Sequence, residues 1–254
     1  MDWSDQVFGV DVSHHQGAIN WPALAAGQGG RWRFAWVKAT EGATFKDPRR
    51  VVNMRSAHAA GLATGAYHYA RPANNSPGAE ADNLLAVLAE VDRELALPPV
   101  LDLEHRHPTP TAAGISPQEL RSWVMEWLGI VAASTGQAPV LYTGSSYMAE
   151  FMGTKKPGWQ PIPALLWQPR YPNMNWMASP EPLKRPHKIP GMPWAVWQYS
   201  TPKGVAGIKP GKRCDVNVTD GATLETMIDG SGMGTALMLG AAAAAAALAG
   251  VALK

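Results

Sequence analysis

Apolar positions along the chain fall into short β-like runs separated by longer stretches of helical period. Val7–Val12, Phe34–Lys38, Thr64–Ala70, Pro99–Glu104 and Val140–Thr143 read as strands, with Ala164–Gln168, Trp194–Tyr199 and Cys214–Val218 as three more. Between the early runs lie helix signals. Arg49–Ala60 is helix-like and stops at Gly61. Ser76-Pro77 opens a helix with Ser as N-cap and Pro in the first turn, and Leu84, Leu85, Leu88, Val91 and Leu95 form its apolar stripe. Ser116-Pro117-Gln118-Glu119 is a capping box, and the helix it starts runs through Trp123, Trp127, Ile130 and Val131 to stop near Gly136. After about residue 155 the helical pattern ends and connections rich in Pro, Gly and Trp take over. Alternating strands and helices predict a parallel sheet. The expected fold class is α/β: an irregular TIM-like (β/α) barrel of about eight strands with a helix-poor C-terminal half, plus a C-terminal hydrophobic helix.

Composition narrows the function. The 254 residues carry a formal charge of +2, which gives no electrostatic footprint for nucleic acid. One cysteine excludes a disulfide framework and a cysteine-based zinc cluster. Eleven Trp in a weakly charged chain suit a protein that stacks on uncharged rings such as sugars, although Trp also fills cores.

Candidate chemistry sits at the strand ends. In Asp102-Leu103-Glu104 the two carboxylates share one face of a strand, about 6.5–7 Å apart. The C-terminal end of a barrel strand is where barrel enzymes keep their active sites. Two carboxylates this close raise one pKa and ready it as a general acid. The same pair also fits a structural role, bonding loop amides or a lysine. Asp11 ends the first strand and Asp215 lies in the last, and a closed barrel makes those strands neighbours. All four carboxylates then face one mouth. Aromatic residues fall near other strand ends: Tyr67, Tyr69, Tyr142, Trp167, Tyr171, Trp197 and Tyr199, with Gln198 as a polar partner for sugar hydroxyls. Strand alternation puts Tyr67 and Tyr69 on one face and Ala66 and His68 on the other. Some of these rings serve the core instead. Lys38 and Glu41 read as supports that pair with each other or with the acidic cluster, and Cys214 as packing.

Eight segments taken in order resemble glycoside hydrolase family 25, the Chalaropsis-type lysozymes, which include many phage endolysins. They are FGVDVSHHQGAINW (8–21), WVKATEG (36–42), AAGLATGAYHYARP (59–72), PPVLDLE (98–104), PVLYTG (139–144), LLWQPRY (165–171), WAVWQYS (194–200) and CDVNV (214–218). One departure from the family pattern is the Gln168-Pro169 pair after Trp167. The resemblance implies a muramidase that cleaves the β-1,4 bond from N-acetylmuramic acid to N-acetylglucosamine in peptidoglycan, without cofactor or metal. By motif match it implies Glu104 as the catalytic acid, with Asp102, Asp11 and Asp215 completing the cluster. Substrate binding is expected from Tyr67, Tyr69, Tyr142, Trp167, Trp197 and Gln198.

Two other functions compete. Asp102, Glu104, His105, His107 and His68 can be read as a metal site of a peptidoglycan amidase or deacetylase, although no HExxH-type spacing is present. A wall-binding or virion structural protein could keep the fold without turnover.

The tail stands apart. Gly230 to Leu253 holds no charged residue, and Ala241–Ala247 is pure alanine. As a helix it is about 36 Å long, enough for a hydrocarbon core of roughly 30 Å. Gly232, Ala236 and Gly240 are spaced for close helix contact. The expected division is a catalytic barrel over 1–229 and a membrane-associating helix over 230–254. The N-terminus MDWSDQVFG has no basic or apolar signal region. The expectation is therefore a protein made in the host cytoplasm, associated with the membrane through its tail, released with the help of a holin and acting on the cell wall.

Overall fold

The computed structural model describes residues 5–91, 95–171 and 185–230. Among the described residues nine strands form one sheet: β1 (Gln6–Val12), β2 (Trp32–Glu41), β3 (Phe45–Lys46), β4 (Ala63–Tyr69), β5 (Val100–Asp102), β6 (Val140–Tyr142), β7 (Leu166–Pro169), β8 (Trp194–Ser200) and β9 (Asp215–Asp220). Eight of them close into a barrel in the order β1-β2-β4-β5-β6-β7-β8-β9, and β9 returns to β1. β3 folds back on the end of β2 outside the barrel. Neighbours from β1 through β8 are parallel, whereas β9 is antiparallel to both β8 and β1. The mouth of the barrel therefore lies at the C-terminal ends of seven strands and the N-terminal end of β9.

The helices are α1 (Trp21–Ala26), α2 (Arg50–Ala59), α3 (Pro77–Leu88), α4 (Pro117–Thr135), α5 (Ser145–Phe151) and α6 (Gly221–Asp229). Their ends follow the sequence chemistry. The Ser116 hydroxyl accepts from the Glu119 amide at 3.2 Å, and the Glu119 carboxylate accepts from the Ser116 amide at 2.8 Å. Gly136 ends α4 in the left-handed conformation, φ 70°, which a side chain would resist.

Strand alternation sorts the apolar residues into two layers. One face of each strand packs outward on the helices through Val10, Val12, Val37, Leu101, Leu141 and Leu166. The other face fills the barrel with Val7, Phe34, Trp36, Val100, Val140, Trp167 and Val196. Two glycines make room for the large rings. A Cβ on Gly9 would sit 2.1 Å from the Phe34 ring, and one on Gly65 2.4 Å from the Trp36 indole nitrogen. Leu224 and Met227 of α6 join this inner cluster and close the end opposite the mouth.

Three features differ from the sequence expectation. The strand expected over 99–104 is only Val100–Asp102, so Glu104 lies on the loop beyond β5, although the Leu103 amide still bonds to Tyr142 O at 2.9 Å. The second half is not free of helices: Asp220 caps α6 by accepting from the Thr223 amide at 2.7 Å. Short α1 and α5 also lack a long apolar stripe to announce them. No helix among the described residues is long and apolar enough to cross a membrane. The expected hydrophobic helix over 230–254 lies outside the described residues, apart from Gly230.

Candidate active site

The mouth is a cavity of about 460 Å³. It is built from residues at the C-terminal ends of the seven parallel strands and the N-terminal end of β9. β1 contributes Asp11, β2 Lys38 and Glu41, β4 Tyr67 and Tyr69, β5 Asp102, β6 Tyr142, β7 Trp167, β8 Gln198 and β9 Asp215. Glu104, Arg106 and Tyr171 reach it from loops. The strand register sets a level row: Tyr69 pairs with Asp102, Asp102 with Tyr142, and Tyr142 with Trp167. Asp11 pairs directly with Asp215 across the antiparallel β1–β9 seam.

A polar network fixes the floor. Asp11 Oδ2 accepts from Gln198 Nε2 at 2.8 Å and from Asn217 Nδ2 at 2.9 Å. Asn217 Oδ1 in turn accepts from Trp167 Nε1 at 2.9 Å. Gln198 Oε1 accepts from the Tyr142 hydroxyl at 2.8 Å and from the Tyr171 hydroxyl. Trp36 stacks against Trp167, with ring centres 4.8 Å apart. Each buried polar group thereby holds its neighbour in one rotamer.

Cations gather on one wall. Lys38 Nζ bonds to Glu41 at 2.7 Å and sits 4.8 Å from the Tyr69 ring centre. Arg71 and Arg106 approach the other Glu41 oxygen at 3.3 and 3.9 Å.

Asp11, Asp102, Glu104 and Asp215, crowded into one cavity with Glu41, cannot all ionise at their ordinary pH. Asp11 and Asp102 are each only 8% exposed. Burial, then the facing Asp215, pushes Asp11 from 3.8 up to about 8, against the two amide hydrogen bonds that pull it down. Burial and then Glu104 raise Asp102 well above the carboxylate range, with Lys38 opposing. Glu104 is raised by burial and then by Asp215, again against Lys38. Asp215 is raised by burial, opposed by a hydrogen bond from Thr201 and by Arg213. The cluster therefore holds protons toward neutral pH, which is what a carboxylic acid needs to donate one. Burial also raises the Tyr67 and Tyr142 phenols, so both serve as neutral hydroxyls.

Comparison with known proteins places this geometry. The family described as "Glycosyl hydrolases family 25" matches residues 10–208. The chain belongs to glycosyl hydrolase family 25. Lysozyme M1 of Streptomyces globisporus is 34% identical over 212 residues, 80% of this chain and 64% of the relative, so the chain spans less than two thirds of that protein. An N,O-diacetylmuramidase of Arthroderma benhamiae is 30% identical over 196 residues, 77% of this chain and 74% of the relative. The crystal structure of the bacterial lysozyme from Streptomyces coelicolor superposes with a TM-score of 0.71 at 30% identity, covering 88% of this chain and 97% of that one.

Within the family 25 barrel, nine of the ten site residues expected from sequence line one cavity: Asp11, Asp102, Glu104, Asp215, Tyr67, Tyr69, Tyr142, Trp167 and Gln198. Trp197 does not. It alternates with Gln198 on β8, packs in the outer layer near Trp194 and Tyr199, and donates to Arg170 O at 2.7 Å. The histidines of the metal reading are also elsewhere. His68 is fully buried between Thr40 and Glu80, 2.7 Å from each. His105 lies against Tyr147 and Phe151 and bonds to Glu150 at 3.1 Å. Sequence reasoning passed over Asn217, Arg106 and Arg71. Asn217 was findable, because it is two residues from Asp215 on a strand and must share its face. The arginines lie on loops after β4 and β5, where no periodicity marks them.

Proposed function

We propose that the chain is a lysozyme that hydrolyses the β-1,4 bond between N-acetylmuramic acid and N-acetylglucosamine in peptidoglycan. The observation that carries this is the convergence of Asp11, Asp102, Glu104 and Asp215 at the mouth of a family 25 barrel, among rings suited to stack on sugars. The names of the relatives, a lysozyme and an N,O-diacetylmuramidase, support it.

Glu104 sits on a loop rather than a strand, its pKa raised by burial and by Asp215, and gives its proton to the leaving glycosidic oxygen. The acetamide carbonyl oxygen of the muramic acid attacks the anomeric carbon as that bond breaks, in the substrate-assisted manner. With Glu104 holding the proton of the coupled pair, Asp102 accepts from the acetamide N–H and steadies the charge it gains. Water then opens the cyclic intermediate. Asp11 and Asp215 tune the protonation of the pair, and Asp11 aligns Gln198 and Asn217. Tyr67, Tyr69, Tyr142 and Trp167 bind the sugars. Digestion of purified sacculi followed by mass analysis of the products is the test. New reducing ends on N-acetylmuramic acid are expected. Reducing ends on N-acetylglucosamine, or release of peptides alone, overturn the proposal.

The barrel over 1–229 acts, in this proposal, in phage-driven host lysis, with the uncharged segment 230–253 associating with a membrane and a holin giving access to the wall. The length and lack of charge of that segment support this. Fractionation of cells expressing the full chain or residues 1–229 tests it. Tail-dependent sedimentation with membranes is expected, and equal solubility of both chains overturns it.

A further inference from the structure

A second cavity, of about 510 Å³, adjoins the catalytic mouth and shares His15, Lys38 and Glu41 as a common wall. It opens between the turn after β1, the β2–β3 hairpin and the loop after β4. Its own lining includes His14, Phe45, Arg71, Asn74 and Asn75. These surfaces are braced. Asp47, fully buried, accepts from the His14 amide at 3.0 Å and lies 2.7 Å from its ring nitrogen, which ties the hairpin to the turn. Asn83 donates to Gly42 O at 2.8 Å and to Phe45 O at 3.1 Å, which holds the hairpin from the other side. Glu80 accepts from the Arg71 amide and from Asn75 at 2.8 Å, fixing the third wall.

The two cavities differ in charge. The catalytic mouth gathers Asp11, Asp102, Glu104 and Asp215, and shares Glu41 with the annex. At the junction, three cations surround one carboxylate: Lys38, Arg71 and Arg106 around Glu41, at 2.7, 3.3 and 3.9 Å. Of these, Lys38, Arg71 and Glu41 line the annex, leaving it one formal positive charge in excess, while Arg106 lines the mouth. Phe45, 41% exposed on the same hairpin, adds an apolar ring. The glycan of peptidoglycan is carried past the acidic cluster as uncharged sugar rings. The stem peptide on its muramic acid bears carboxylates and short apolar side chains.

Resting on the muramidase reading, we propose that this annex binds the stem peptide of the muramic acid being cleaved. Excess positive charge beside Arg71 meets the peptide carboxylates, and Phe45 and Asn74 meet its side chains and backbone. A lone lactyl carboxylate, left when the peptide is removed, is too small to fill about 510 Å³.

The experiment compares intact glycan strands from sacculi with the same strands stripped of peptide by an amidase. Wild-type kcat/KM is expected to be higher on intact strands. Asn74→Glu places a carboxylate on an exposed position of the annex, and should cut kcat/KM on intact strands about tenfold through like-charge repulsion. Phe45→Ala should cut it roughly threefold to tenfold. Both variants should stay within about twofold of wild type on stripped strands, since neither residue lines the catalytic mouth. Equal wild-type rates on the two polymers, or equal losses on both in the variants, overturn the annex proposal and leave the muramidase reading standing. Cleavage of neither polymer overturns both.

Discussion

The two ends of the barrel are made by the same strands and do opposite work. Read along the inner face, β1 runs Val7, Gly9, Asp11, while β2 runs Phe34, Trp36, Lys38. β5 runs Val100 then Asp102, β6 Val140 then Tyr142, and β8 Val196 then Gln198. Each column passes from apolar at the closed end to polar or charged at the mouth. The closed end, sealed by Leu224 and Met227, contributes hydrophobic stabilisation, roughly 1.5–3 kcal/mol for each large side chain buried. The mouth costs stability, because it holds Asp11 and Asp102 away from water and crowds the half-buried Glu104 and Asp215 beside them. Stability and chemistry are thus separated along a few residues of each strand.

Exchanges at the two ends should therefore give opposite results. The largest expected effect is at the mouth. Asp102→Asn should lower kcat on purified peptidoglycan by about 10²- to 10³-fold, while thermal unfolding at pH 7 shifts upward because a buried carboxyl has been removed. A loss of both activity and stability would erase the distinction between the ends. Next is Phe34→Ala at the closed end, which should cost about 3–5 kcal/mol in denaturant unfolding and leave kcat per folded molecule near wild type.

A smaller effect separates the ends by pH. Asp11 has a folded pKa of about 8 against 3.8 when free. A raised carboxyl contributes its stability in full below about pH 4, and loses it as pH rises toward 8. Wild-type unfolding free energy should fall across that window, and Asp11→Asn should flatten the fall by a few kcal/mol. A variant with the same slope as wild type would place the cost elsewhere. The smallest effect is Gly9→Ala, whose methyl would press on the Phe34 ring, costing about 1–3 kcal/mol. The double variant Gly9→Ala/Phe34→Leu should recover part of it, which a calorimetric melt would read.

The closed end was less legible in the sequence than the mouth. Strand runs, the capping box at Ser116 and the four carboxyls all announce themselves through local patterns. Closure of the barrel follows once Asp11 and Asp215 are assigned to first and last strands. The antiparallel direction of β9 does not, because nothing in Asp215–Asp220 differs from a parallel strand; direction is set by the connection, and residues 201–214 between β8 and β9 carry no crossover helix. α6 was hidden because the motif pattern ends at Val218. Trp197 was misplaced by one residue of alternation: Gln198 faces in, so its neighbour must face out. The Glu41 cluster and the annex depend on loops brought together in space, and no spacing in the chain encodes that contact.

The most direct test of the central claim, that Glu104 is the proton donor at this mouth, pairs hydrolysis with unfolding in Glu104→Gln. Muropeptide release from sacculi should fall by at least about 10³-fold, with the melting temperature equal to wild type or higher, since one of the crowded carboxyls is gone. Release within a few fold of wild type, from a variant that folds normally, would contradict it.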